Sequence, residues 1–130
     1  MIGAAEVLSC PSGWVRLMEG LAEGVTPLLE GEPGARLRIG QIKEKFGTLR
    51  VYADPTGSDR FVDRVREVIA WAVAASESRC ALTGLPGVPD RAGWHLTLCP
   101  EAIRWRREDR RGFGRAIYPD PPGPEQAPTP

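Results

Sequence analysis

Between Trp14 and Val73 the apolar residues change their spacing twice, and that change restricts the chain to one order of elements. From Gly13 to Glu30 they recur as Trp14, Leu17, Met18, Leu21, Val25, Leu28 and Leu29. Steps of three and four predict one apolar face of an α-helix. Ser12 is placed to cap its start. Pro27 lacks the N–H that a helix interior uses, which predicts a kink or break near residues 24–26; Glu30-Gly31-Glu32-Pro33-Gly34 ends the element. From Leu37 to Tyr52 the period falls to two. Leu37, Ile39 and, less cleanly, Gln41 alternate with Arg36, Arg38 and Gly40, and Thr48-Leu49-Arg50-Val51-Tyr52 alternates again. Two short strands joined by a glycine-containing turn at Lys43–Gly47 make a β-hairpin. Leu49 and Val51 are expected on one side, Arg50 and Tyr52 on the other. The helical period then returns in Phe61, Val62, Val65, Val68, Ile69, Ala72 and Val73, with Arg60, Asp63, Arg64, Arg66 and Glu67 on the wet face. Thr56 and Asp59 have the spacing of a capping box, and the helix is expected to end near Ser78.

The next piece is punctuated by Gly84, Pro86, Gly87 and Pro89. Trp94 to Cys99 reads as a strand, and Pro100 suits the first turn of a helix over Glu101–Arg107. With 130 residues and 42% hydrophobic side chains, the chain has material for one modest core. Trp14 and Trp94, both on apolar stripes, are expected in it. Fifteen glycines and 13 prolines make about a fifth of the chain, against an average of about 12%. Six of the prolines fall in 119–130. The sequence thus predicts an N-terminal extension (1–12), a single α+β domain (13–112) and a flexible, disordered Pro-rich tail (113–130). In the domain two helices pack on a β-hairpin, and a knuckle follows at about 80–107.

Charge and composition exclude several classes. Seventeen basic residues balance 17 acidic ones, so no global polybasic character names a partner. No apolar run approaches the ~20 residues of a membrane helix, and Met1 to Ser9 has no basic n-region. An odd count of three cysteines, Cys10, Cys80 and Cys99, predicts a reducing, cytoplasmic setting rather than a disulfide framework. No catalytic constellation is evident. His95 is the one histidine, Cys80 has no designated base, and Gly112-Phe113-Gly114 lacks the strand and later glycine of a phosphate loop. The expectation is not an enzyme, with no small-molecule substrate.

Two basic segments stand out. Arg36, Arg38, Lys43, Lys45 and Arg50 lie within fifteen residues against one acid, Glu44. Residues 104–115 hold six arginines (Arg104, Arg106, Arg107, Arg110, Arg111 and Arg115) against Glu108 and Asp109, with Trp105 and Phe113 interleaved. Solvated turn and helix-end charges account for both segments. So would contacts to phosphates or to an acidic protein surface. Residues 1–34, with five acids and one base, are polarised the other way.

The run Gln41-Ile42-Lys43-Glu44-Lys45-Phe46-Gly47-Thr48-Leu49-Arg50-Val51-Tyr52, then a helix, then Cys80-x-x-x-Gly84-x-Pro86-Gly87 and Gly93-Trp94-x-x-Thr97-Leu98-Cys99 resembles a family of short proteins of bacterial genomes, phages and prophages. The resemblance spans about Gly13 to Ala102. It implies a phage or mobile-element origin and a zinc-ribbon-like or treble-clef-like module built on two Cys-x-x-Cys or Cys-x-x-His pairs, and it offers no activity to carry over. Here Thr83 and Ala102 stand at the second and fourth ligand positions. Cys80 and Cys99 remain as metal ligands, with His95 and Cys10 as candidates to complete the set. Two thiolates alone hold zinc weakly, so a degenerate knuckle without metal is expected, its two cysteines neighbouring, reduced and buried. Two functional classes stay open. One is a protein-binding adapter or modulator. The other is a nucleic-acid-binding accessory protein using Arg36, Arg38, Lys43, Lys45, Arg50 and Arg104–Arg111.

Overall fold

A computed structural model describes residues 10–118. The first nine residues of the expected N-terminal extension, and 119–130 of the expected Pro-rich tail, lie outside the described residues. A 3-10 turn, Ser12–Trp14, leads into α1 (Val15–Gly31); β1 (Arg36–Lys45) and β2 (Thr48–Thr56) follow, then α2 (Asp59–Ser76), β3 (Val88–Asp90), β4 (Leu96–Leu98), α3 (Pro100–Glu108) and α4 (Arg110–Ile117). The fold is α+β; among the described residues there are two two-stranded antiparallel sheets, β1–β2 and β3–β4.

The apolar stripe of α1 is buried at Leu17, Met18, Leu21 and Val25. The helix runs unbroken through Pro27, so the expected break does not occur. Proline there removes one N–H from the ladder, while packing of the buried stripe acts along the whole element. Ser12 is not the cap. Its hydroxyl donates to the Ala116 carbonyl (2.9 Å), tying the start of α1 to α4.

The hairpin strands are ten and nine residues long, longer than expected. A two-residue turn, Phe46-Gly47, joins them. Both residues have positive φ (53° and 84°), the signature of a type I′ turn whose twist matches that of the strands. A bulge between Ile39 and Gln41 shifts the register. The extra residue turns Gln41 outward and brings Ile42 into the core, where it is fully buried. Strict alternation had pointed Gln41 inward. In β2 the expected sides hold: Leu49 is buried, Val51 half-buried, and Arg50 and Tyr52 exposed.

The cap of α2 is Ser58, two residues beyond the expected Thr56; its Oγ accepts the Phe61 N–H (3.1 Å). The Glu32 carboxylate accepts from both the N–H and the hydroxyl of Ser58. Those bonds, the hydroxyl's first and then the amide's, hold the Glu32 carboxyl below its ordinary value.

Cysteine 10, Trp14, Met18, Ile42, Leu49, Ala72, Cys80, Leu96, Leu98, Cys99, Ala102, Phe113 and Ile117 form one core cluster. The Trp14 indole N–H donates to the Arg79 carbonyl (3.1 Å). Two expected boundaries move. Residues 10–12 pack with the domain, and the chain remains helical to Ile117. Phe113 and Ile117 sit in the core, so 113–118 are folded rather than tail. Asp109 ends α3 and caps α4 by accepting the Gly112 N–H (3.0 Å). That cap turns the chain so that the four-residue step from Phe113 to Ile117 faces inward.

Candidate functional site

Register and bulge together give the hairpin an outer face carrying Arg36, Arg38, Lys43, Lys45 and Arg50 around a half-exposed Tyr52. Lys43 lies directly opposite Arg50, and Arg38 opposite Asp54. The Lys43 ammonium sits 5.7 Å from the Tyr52 ring centre, and Lys45 lies 5.6 Å from that of Phe46 at the tip. The five hairpin cations expected from the sequence are therefore brought together on one surface.

The C-terminal arginines divide. Arg104, Arg107, Arg110 and Arg111 are exposed on α3 and α4; Arg110 donates to the Ala92 carbonyl (3.2 Å). Arg106 is 2% exposed and is a core cation rather than a surface contact. Its Nη1 donates to Asp90 Oδ2 (3.1 Å) and its Nη2 to the Trp94 carbonyl (2.6 Å). The guanidinium lies 4.6 Å from the Trp94 ring centre and 5.8 Å from that of Phe113. Trp94 thereby becomes a half-exposed lid over Arg106 (47% exposed) and not the core residue expected. Tyr118 donates to Glu44 (3.4 Å), whereas Lys43 and Lys45, at alternate positions, project from the other side of β1. Burial first, and then the Glu44 charge, push the Tyr118 hydroxyl upward.

Cys80 and Cys99 are buried close together. Cys80 Sγ accepts the Leu82 and Thr83 N–H groups (both 3.4 Å), and the Thr83 hydroxyl reaches Cys99 Sγ (3.6 Å). Burial pushes the Cys80 thiol up, but donors from the Thr83 hydroxyl and from the Cys99, Thr83 and Leu82 amides outweigh it, so the net shift is downward. The two candidates for completing a ligand set lie elsewhere. Cys10 Sγ meets Met18 Sδ at 3.9 Å, and burial raises its thiol to about 11. The His95 ring lies against Gly47, where a Cβ would come within 3.2 Å of it. Among the described residues no group of three or more His, Cys, Asp or Glu side chains is arranged to hold a metal ion. Two thiols, one hydroxyl and the Ala102 methyl do not make a four-ligand zinc set.

One feature escaped the sequence reading. Trp71, on α2, is 50% exposed and stands between two clefts. One, of about 670 Å³, is lined by residues including Val15, Leu17, Arg79, Leu82 and Leu85; the other, of about 530 Å³, by Gly20, Glu23, Gly24, Glu67 and Val68. The indole edge rests on Gly20, where a Cβ would come within 2.6 Å of it. The signal was present: Trp71 falls outside the stripe of Phe61, Val65, Val68 and Ala72, and a large aromatic off the apolar face of an amphipathic helix faces water.

No helix among the described residues is long and apolar enough to cross a membrane. Comparison with protein-family models, with curated proteins and with solved structures finds no match.

Proposed function

We propose that the chain is a small, non-enzymatic protein-binding adapter or modulator acting in a reducing cytoplasm. Trp71 carries the reading. An indole presents up to ~250 Å² and is among the side chains most enriched at binding hot spots. Covering the exposed half, roughly 100 Å², contributes ~2–3 kcal/mol at the usual area coefficient, about a hundredfold in Kd. The flanking clefts supply depth for a partner side chain on either side. The test is a pull-down from the native host with nuclease present, comparing the wild type, Trp71→Ala and the triple variant Arg38→Glu/Lys43→Glu/Lys45→Glu. A stoichiometric protein lost with Trp71→Ala but kept by the triple variant supports the adapter reading. Capture indifferent to Trp71 refutes it.

The outer face of the hairpin favours a second reading, contact with nucleic acid. Five cations flank an exposed tyrosine, the combination that neutralises phosphates and stacks on a base. Affinity for a single-stranded oligonucleotide would then fall log-linearly with salt, by ~0.7 per phosphate contact, and the triple variant would lose it.

We read residues 80–107 as a zinc-ribbon or treble-clef shape held by packing instead of metal. Two N–H groups converge on Cys80 Sγ as they do in a metal knuckle, and Cys99 precedes a helix whose first turn carries Ala102. Reinstating ligands tests the reading: Thr83→Cys/Ala102→Cys should bind one zinc per chain. Failure of the folded double variant to bind would overturn it.

A further inference from the structure

Among the described residues the β1–β2 sheet has two strands, and its two sides differ. The β1 edge is interrupted by its bulge at Ile39/Gln41, a device that discourages pairing. β2 has no such interruption. Lys45 and Thr48 flank the two-residue turn as a pair. Counting from them, even-numbered residues of β2 bond to β1, and odd-numbered ones turn their N–H and C=O outward. Two observations agree. The Leu49 N–H is taken by Ser76 Oγ on α2 (2.9 Å), and residue 55 is a proline, which an edge tolerates where no N–H is needed. The free edge is thus a short ladder segment, Val51 and Ala53, closed at one end by the Leu49–Ser76 bond and at the other by Pro55.

Beneath that edge runs an apolar groove of about 370 Å³, lined by Val51, Ala53 and Pro55 above and by Ile69, Ala70, Val73 and Ala74 of α2 below, with Arg66 and Glu77 also on its walls. The charges on the outer face of β2 say what fits. Arg50 faces Lys43 across the hairpin, a like-charge pair that destabilises a lone hairpin. Asp54 lies four residues along β2 on the same face.

We propose that the occupant is a second copy of this chain, its β2 paired antiparallel to the first about a two-fold axis through Tyr52. In that register Val51 lies opposite Ala53 of the second copy, and Ala53 opposite its Val51. Four main-chain hydrogen bonds form, and all of them use outward groups. On the outer face Arg50 meets Asp54 of the second copy and the reverse, so each Arg50 next to Lys43 gains a carboxylate. The two α2 helices lie antiparallel beneath, which brings the Arg66 end of one groove to the Glu77 end of the other. Pairing is isologous and closes at two copies. It joins the two β1–β2 hairpins, β2 to β2, into one continuous sheet.

Sedimentation velocity on the full chain, from about 1 μM to about 1 mM, should show a concentration-dependent shift from 14.2 kDa towards twice that mass. Ala53→Pro removes an outward N–H without touching the β1 ladder and should leave a monomer with wild-type circular dichroism. Arg50→Glu and Asp54→Lys should each weaken dimerisation at least tenfold. Their equimolar mixture should recover it, because every 50–54 pair in the heterodimer is again of opposite charge. A wild type that stays monomeric throughout, or a dimer that persists in folded Ala53→Pro, overturns the proposal. So do singles that fail to complement on mixing.

Discussion

Removing the Asp90 carboxylate should unfold more of the protein's stability margin than any surface change, because it strands the Arg106 charge in the core. The pair is 3.1 Å apart, with Arg106 2% exposed and Asp90 8%. At an effective dielectric of about 20 the attraction over that distance is ~5 kcal/mol. Breaking a buried pair from one side typically costs ~3–5 kcal/mol, since the remaining ion stays desolvated. Arg106 Nε already has no hydrogen-bond partner, so the guanidinium has little reserve. Stacking against Trp94 and Phe113 survives the change and places the expected cost of Asp90→Ala near ~3 kcal/mol, the lower end of that range. A domain of this size has only ~5–15 kcal/mol in total. Urea unfolding followed by tryptophan fluorescence and circular dichroism measures the loss. The companion variant Asp90→Ala/Arg106→Met should be more stable than Asp90→Ala alone, because the uncompensated charge leaves with its partner. A loss under ~1 kcal/mol for Asp90→Ala, or a double variant no better than the single, would refute the idea that burial of charge governs this site.

The capping network at Glu32 has a pH signature. Its carboxyl lies below 4.5 in the folded chain, so its contribution is present above about pH 4.5 and is lost as pH falls through the lowered folded value. Acid unfolding of Glu32→Gln should therefore begin at higher pH than that of the wild type, and the two curves should converge at lower pH. Gly47→Ala should cost ~1–2 kcal/mol in thermal unfolding, since alanine is strained at φ 84° and its methyl would press on the His95 ring. In native protein at pH 8, Cys10, with its thiol raised to about 11, should resist alkylation, and mass spectrometry after a timed iodoacetamide pulse should find it modified only after unfolding.

Much of the architecture was legible in periodicity. A stripe at three-and-four spacing buries one side of α1 and of α2 wherever they pack, and alternation placed Leu49, Val51, Arg50 and Tyr52 on their observed sides. Those are local facts, set by the geometry of a helix and a strand, and they hold in any tertiary context that offers a core. Ser58 in place of Thr56 as the cap shows the limit: both residues can accept, and only the position of Glu32, 26 residues earlier in the chain, selects between them.

What the tertiary structure alone decided depends on neighbours distant in sequence. An arginine in a run of arginines reads as a surface charge until Asp90 and Trp94 are found around it, and Arg106 is buried for that reason while Arg104 and Arg107 are not. The same holds for the end of the domain. Phe113 and Ile117 lie beyond a break at Asp109, and only the seat that the 3-10 turn and the rest of the core cluster provide makes their helix part of the core. Whether two basic segments share a surface, and whether a tryptophan off the stripe is left open, are likewise outcomes of docking one element on another. A linear pattern records the residues' types and spacing, which determine the elements; it does not record the distances between elements, which determine the burial of charge and hence the site.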